Sequence, residues 1–151
     1  MSEQHPIVDD AELGPLSRAT SELTDGTLLT HDWYSGTASV EGSDVTLMIE
    51  GTSPAEITPL LPRLRTTITR LGTLRRTATD AVVTSFSAGE PEPRELDEAA
   101  SDLSLDAVEA SADGTIVLHL LDTCGKHFPD GYWPAVHLDA VGAVVTVTVE
   151  S

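Results

Sequence analysis

The chain has 151 residues, of which 40% are hydrophobic, 22% charged and only 4% aromatic, and its net charge is −17. That length suits one compact domain with an aliphatic core, and the charge argues against nucleic acid and anionic membranes, which bind proteins through basic patches. The single cysteine excludes an intrachain disulfide and favours a reducing compartment.

The first segment, Met1-Ser2-Glu3-Gln4-His5-Pro6, has neither the cationic nor the apolar stretch of a secretory signal. No run approaches the roughly 18 apolar residues of a membrane helix, so a cytoplasmic location is expected. Residues 1–27 are acidic and weakly periodic, and read as a loosely ordered arm in which Leu13, Leu16 and Leu23 make a short helix or a docked segment. Residues 28–151 read as a single domain.

Strand signals begin at Leu28. Two β-rich runs flank the turn Glu41-Gly42-Ser43-Asp44, with Val45, Leu47 and Ile49 alternating after it, which is a hairpin pattern. Ser53-Pro54-Ala55-Glu56 then supplies an N-cap, a proline at the first helical position and an acid in the first turn. Leu61, Leu64, Ile68 and Leu71 recur at helical spacing. Continuing that face would bury Arg75, so a break is expected near Gly72, followed by a second helix with Leu74, Ala78, Val82 and Phe86 inward. After the 89–93 loop, residues 94–102 can form a short helix.

Three or more strands are expected to finish the chain. Leu103, Leu105 and Ala107 alternate in the first. Asp113-Gly114 turns into a second with Ile116, Leu118 and Leu120 on one side. Residues 132–138 and 143–149 follow, joined by a turn at Gly142. Pro134 cannot donate to a ladder, so its strand should lie at an edge or carry a bulge. Strands, then helices, then strands imply an α+β fold: a mostly antiparallel sheet with two or three helices on one face. The order does not alternate as a dinucleotide-binding fold would.

The rare side chains cluster between Asp122 and Asp139, where the only cysteine, the only lysine and two of five histidines fall. Cys124, His127 and His137 of this run, with His119 just before it, are the nitrogen and sulfur types that bind zinc, although the paired spacing of a structural zinc site is absent. The default is that they are structural histidines with no cofactor, and zinc is the alternative. Cys124 near His127 is also a candidate nucleophile, but a lone cysteine is more often a small buried hydrophobe. Asp122, Asp130 and Asp139 carry no catalytic claim in so acidic a chain. Phe128, Asp130, Tyr132 and Trp133 lie on a loop stiffened by Pro129 and Pro134, and form a candidate anchor for a partner; the competing expectation is that Phe128 and Trp133 plug the core. Arg63, Arg65, Arg70, Arg75 and Arg76 stand together without an acid between them, and are expected mainly to pair with the acidic surface.

From Trp33-Tyr34-Ser35-Gly36, through the central helices, to Phe128-Pro129-Asp130-Gly131-Tyr132-Trp133-Pro134 and the Val147-Thr148-Val149-Glu150-Ser151 ending, residues 30–151 resemble a class of small acidic bacterial proteins filed as domains of unknown function. The resemblance implies an α+β fold, a bacterial cytoplasm and immunity-type or other partner binding, with no catalytic residues to carry over.

The expectation is therefore a non-enzymatic binding protein for a basic protein partner, immunity-type or accessory, that binds neither nucleic acid nor membrane. One alternative is a metal- or cysteine-dependent enzyme centred on His119, Cys124, His127 and His137. The other is a structural protein whose charge is solvent adaptation.

Overall fold

The computed structural model describes residues 7–40 and 42–151. Residues 1–6, and Glu41 of the expected turn, lie outside them. Eight strands form one sheet in chain order: β1 (Val8–Asp10), β2 (Gly14–Glu22), β3 (Leu28–Val40), β4 (Ser43–Glu50), β5 (Leu103–Ala110), β6 (Ile116–Asp122), β7 (Trp133–Leu138) and β8 (Val144–Glu150). Neighbours are antiparallel except β4 and β5, which run parallel with Thr46 opposite Ala107 and Ile49 opposite Ala110. A parallel pair cannot be joined by a tight turn. The connection consists of α1 (Pro54–Ile57), a 3₁₀ turn, α2 (Leu61–Thr69), α3 (Leu71–Phe86) and α4 (Pro93–Asp102).

This corrects the expected α+β layout of a mostly antiparallel sheet with two or three helices on one face. The sheet is mixed and dominates the chain, with 42% strand against 29% helix, and the helices are short. Part of the difference lies in residues 8–22, read as a loose arm. They form β1 and β2, pair with β3, and bury Leu13 and Leu16. Only Leu13 and Leu16 there are fully buried, with Val8 packed against the core, too few for a period-two pattern to stand out.

The N-terminal hairpin is tied down by charge. Asp10 Oδ1 accepts the Glu12 and Leu13 amides at 2.9 Å, while Oδ2 accepts Arg65 Nε at 2.8 Å. The Asp10 side chain is only 4% exposed. The Arg65 guanidinium, more than burial opposes it, holds the Asp10 carboxyl down to about 2. Three more arginines of this stretch are also spent on the fold. Arg63 donates to the Asp139 carbonyl, Arg75 donates to the Ala100 carbonyl at the end of α4, and Arg76 bridges Asp80 and Asp97.

One buried cluster joins the sheet and helices: Leu16, Tyr34, Leu47, Ile49, Leu118 and Val136 meet Ile57, Leu64, Leu71, Leu74, Ala78 and Val82. The helix break falls at Arg70 (φ −100°, ψ 11°), two residues before the expected one at Gly72. Thr66, Thr67 and Thr69 turn their hydroxyls back onto carbonyls one turn earlier, a competition that weakens the helix there. In β5 the alternation slips at an irregularity between Leu105 and Ala107, so Val108 and Ala110 enter the core cluster and Ala107 lies on the other face. β7 is an interior strand, not an edge, and its pairing with β8 carries an irregularity between His137 and Leu138. Pro134 is tolerated because the β6 ladder begins only at Ala135. No helix among the described residues is long and apolar enough to cross a membrane.

Two substitutions test this packing. A Cβ on Gly36 would stand 2.7 Å from Leu16 Cδ2 and 2.9 Å from the Pro15 carbonyl oxygen. Gly36→Ala is therefore expected to cost about 1–3 kcal/mol in urea unfolding, through separation of β3 from β2. Tyr34 is fully buried and its hydroxyl has no partner among the described residues. Tyr34→Phe removes an unsatisfied polar group, and unfolding should show stability unchanged or raised by up to about 1 kcal/mol.

Candidate functional site

The parallel junction brings the end of α4 beside the end of β6, because Leu103, the first residue of β5, pairs with Asp122, the last of β6. From there the chain makes a ten-residue excursion, 123–132, before β7. Asp122 organises its first half. Its Oδ1 accepts from the Cys124 amide, the Cys124 thiol and the Gly125 amide at 3.2–3.3 Å. Its Oδ2 accepts from the His127 amide at 2.7 Å and the Phe128 amide at 3.0 Å. Burial raises the carboxyl, but the combined backbone and thiol donors outweigh it and bring Asp122 from the usual 3.8 to about 2. Thr123 fastens the same loop to the helix, donating both its amide (2.9 Å) and its hydroxyl (2.7 Å) to the Asp102 carbonyl.

The loop thus carries Cys124 and His127 to the Asp102 carboxylate. His127 Nε2 lies 2.9 Å from Asp102 Oδ2, and the Cys124, His127 and Asp102 ligand atoms all lie within 4.8 Å of one another. The Lys126 backbone pulls the Cys124 thiol down. Lost hydration, the Asp122 bond and the charges of Asp102 and Asp122 more than reverse this and push it above its ordinary value. A thiol held protonated is a poor nucleophile.

Beyond His127 the loop walls a cavity of about 560 Å³. Its apolar lining comes from Val82, Val83 and Phe86 of α3, Ala99 of α4, Leu103, Phe128, Pro129, Tyr132 and Val149. Phe128 meets Phe86 edge-on with ring centroids 5.8 Å apart. Glu95, Glu98 and His127 supply its ionisable groups, and no lysine or arginine lines it. Phe86 was expected in the core. It is the last residue of α3, is 56% exposed, and lines the cavity instead.

The four residues considered as zinc ligands do not gather at one point. His119 and His137 project from β6 and β7 onto the sheet face that carries Ala107 and Glu109. Trp133 Nε1 donates to His119 Nδ1 at 3.0 Å, so the ring proton of His119 sits on Nε2 and is donated to Glu109 at 2.9 Å. That bond, against partial burial and helped by His119 and His137 nearby, holds the Glu109 carboxyl below its usual range. His137 bonds Thr148. Trp133 is half-buried on this face, away from the core cluster, whereas Phe128 is partly buried and packs against that cluster. Tyr132 is 50% exposed and Asp130 is fully on the surface.

Two contributors escaped the sequence. Asp102 ends a helix 22 positions before Cys124, a separation with no motif signal. Asp122 looked like one acid among many, although an aspartate followed by Thr-Cys-Gly is the pattern of a side chain that bonds amides two and three residues ahead. Comparison with known proteins adds nothing further: no protein-family model, curated protein or solved structure matches the chain.

Because Asp122 is depressed in the folded state, its contribution to stability is complete above its unfolded value near 4 and is lost as the pH falls toward 2. Asp122→Asn should therefore cost about 1–2 kcal/mol at pH 7. It should also flatten the acid-side fall in stability, and urea titrations at pH 7 and pH 3 read both effects.

Proposed function

We propose that this protein acts by binding, and that its partner is a basic protein segment that places an apolar side chain in the cavity between α3, α4 and the 127–132 loop. The observation that carries this is the lining itself: an apolar cavity of about 560 Å³, bordered by Glu95 and Glu98 and free of lysine and arginine. An apolar anchor contributes most of the affinity when buried in such a pocket. Glu98 is paired with Arg94 at 3.1 Å, so Glu95 and the net charge of −17 steer a cationic segment toward the cavity and penalise an acidic one. Arg63, Arg65, Arg75 and Arg76 are committed to Asp10, Asp80, Asp97 and backbone carbonyls, and Arg70, at the break between α2 and α3, does not line the cavity.

Tyr132, half-exposed at the cavity, and Phe128 are the contact residues of this proposal, with Asp130 beside them. Trp133 points to the other side of the sheet and contributes through its bond to His119. An accessory or immunity-type role in a reducing cytoplasm accords with the exposed, unpaired Cys124. Solvent adaptation alone would explain the charge but not the aromatic cavity beside it.

The probe is a fluorescent amphipathic peptide with leucines on one face and lysines on the other, compared with its glutamate counterpart. The lysine peptide should bind with an affinity that falls as salt rises. Tyr132→Ala should weaken it by about tenfold or more, with an unchanged circular dichroism spectrum. Equal binding of both peptides, or indifference to Tyr132→Ala and to the double change Glu95→Gln with Glu98→Gln, would sink the proposal.

A further inference from the structure

We propose that Asp102, Cys124 and His127 form a site for a thiophilic divalent cation of the zinc class, which staples the 122–128 loop to the end of α4. Three different ligand types, one carboxylate oxygen, one sulfur and one imidazole nitrogen, lie within 4.8 Å of one another. A tetrahedral zinc ion with these ligands would hold nitrogen and oxygen about 3.3 Å apart and sulfur and nitrogen about 3.6 Å apart, from bond lengths near 2.0–2.3 Å. His127 Nε2 and Asp102 Oδ2 already stand 2.9 Å apart, and the exposed Cys124 side chain needs a movement of no more than about an ångström.

The surroundings support the ligands in the way metal sites need. The Asp122 carboxylate fixes the amides of Cys124 and His127, and Thr123 fixes the loop to the Asp102 carbonyl. The site thus exists in the folded chain and needs little ordering to bind. Asp122 also places a negative charge beside the sulfur, which a cation would offset. On binding, the Cys124 thiol gives its proton to solvent and the sulfur bonds as thiolate, so affinity rises with pH. Three protein ligands leave a fourth position for water, as in open zinc sites. His127 also borders the apolar cavity, so the site lies at its rim. The two histidines on the other sheet face do not compete, because both ring nitrogens of His119 are engaged by Glu109 and Trp133, and His137 bonds Thr148.

The site is tested on the full chain with cobalt(II), whose absorption reports sulfur ligation and tetrahedral geometry, followed by displacement with zinc. One equivalent should bind, with a sulfur-to-cobalt charge-transfer band that zinc abolishes. Cys124→Ser should remove that band and weaken zinc binding by about tenfold or more, and Asp122→Asn should weaken it by about 10- to 100-fold while keeping the band. Zinc should raise the melting temperature of the wild-type chain and not that of Cys124→Ser, whereas His119→Gln should leave cobalt binding unchanged. No cobalt uptake, or a spectrum that Cys124→Ser does not alter, would overturn the site. These readouts require no partner, so they fail or succeed separately from the binding function.

Discussion

The parallel pairing of β4 with β5 is the constraint on which the rest of the structure depends. Every other neighbouring pair is antiparallel and, apart from the ten-residue loop between β6 and β7, is closed by a short connection, so each half of the sheet is a local meander. At the join the chain must travel back along the sheet before β5 can start, and α1 to α4 make that journey. They bring the helical half of the core with them, and α3 reaches across to β7 and β8. The cavity follows from the same geometry. It lies where the end of α3, the length of α4 and the loop after β6 converge around Leu103, the residue at which the crossover ends.

Charge is sorted by the same connection. The chain's excess of acid is distributed over surface and turns, while the arginines of α2 and α3 are held by specific acceptors. Arg65 locks the first hairpin through a carboxylate that is 4% exposed, and Arg75 satisfies a carbonyl that α4 would otherwise leave open at its end. The acidic field around the cavity is therefore not cancelled by the basic stretch next to it in sequence. Asp122 does locally what the arginines do globally. One carboxylate holds five loop donors and thereby sets the positions of Cys124, His127 and Phe128.

Much of the strand structure was legible. The alternation of Val45, Leu47 and Ile49, of Ile116, Leu118 and Leu120, and the glycine turns at Gly42, Gly114 and Gly142 all correspond to strands and turns in place. The helices were legible from Leu61, Leu64, Leu71, Leu74, Ala78 and Val82. The first two strands were not, because β1 is three residues long and β2 offers Leu16 among polar neighbours. The slip in β5 was equally hidden, since Leu103, Leu105 and Ala107 alternate cleanly on paper while the irregularity moves Ala107 to the other face.

What the sequence by itself determined is the set of local states: which segments alternate at period two, which at 3.6, where glycine permits a turn, and that the surface is acidic. These depend on residues close together in the chain. Only the tertiary structure decided which functional side chains meet. His119 and His137 fall within the same stretch as Cys124 and His127 but face away, because a strand sends its side chains to a face set by register. Asp102 and Phe86, remote in sequence, arrive at the site because the β4–β5 crossover must end there.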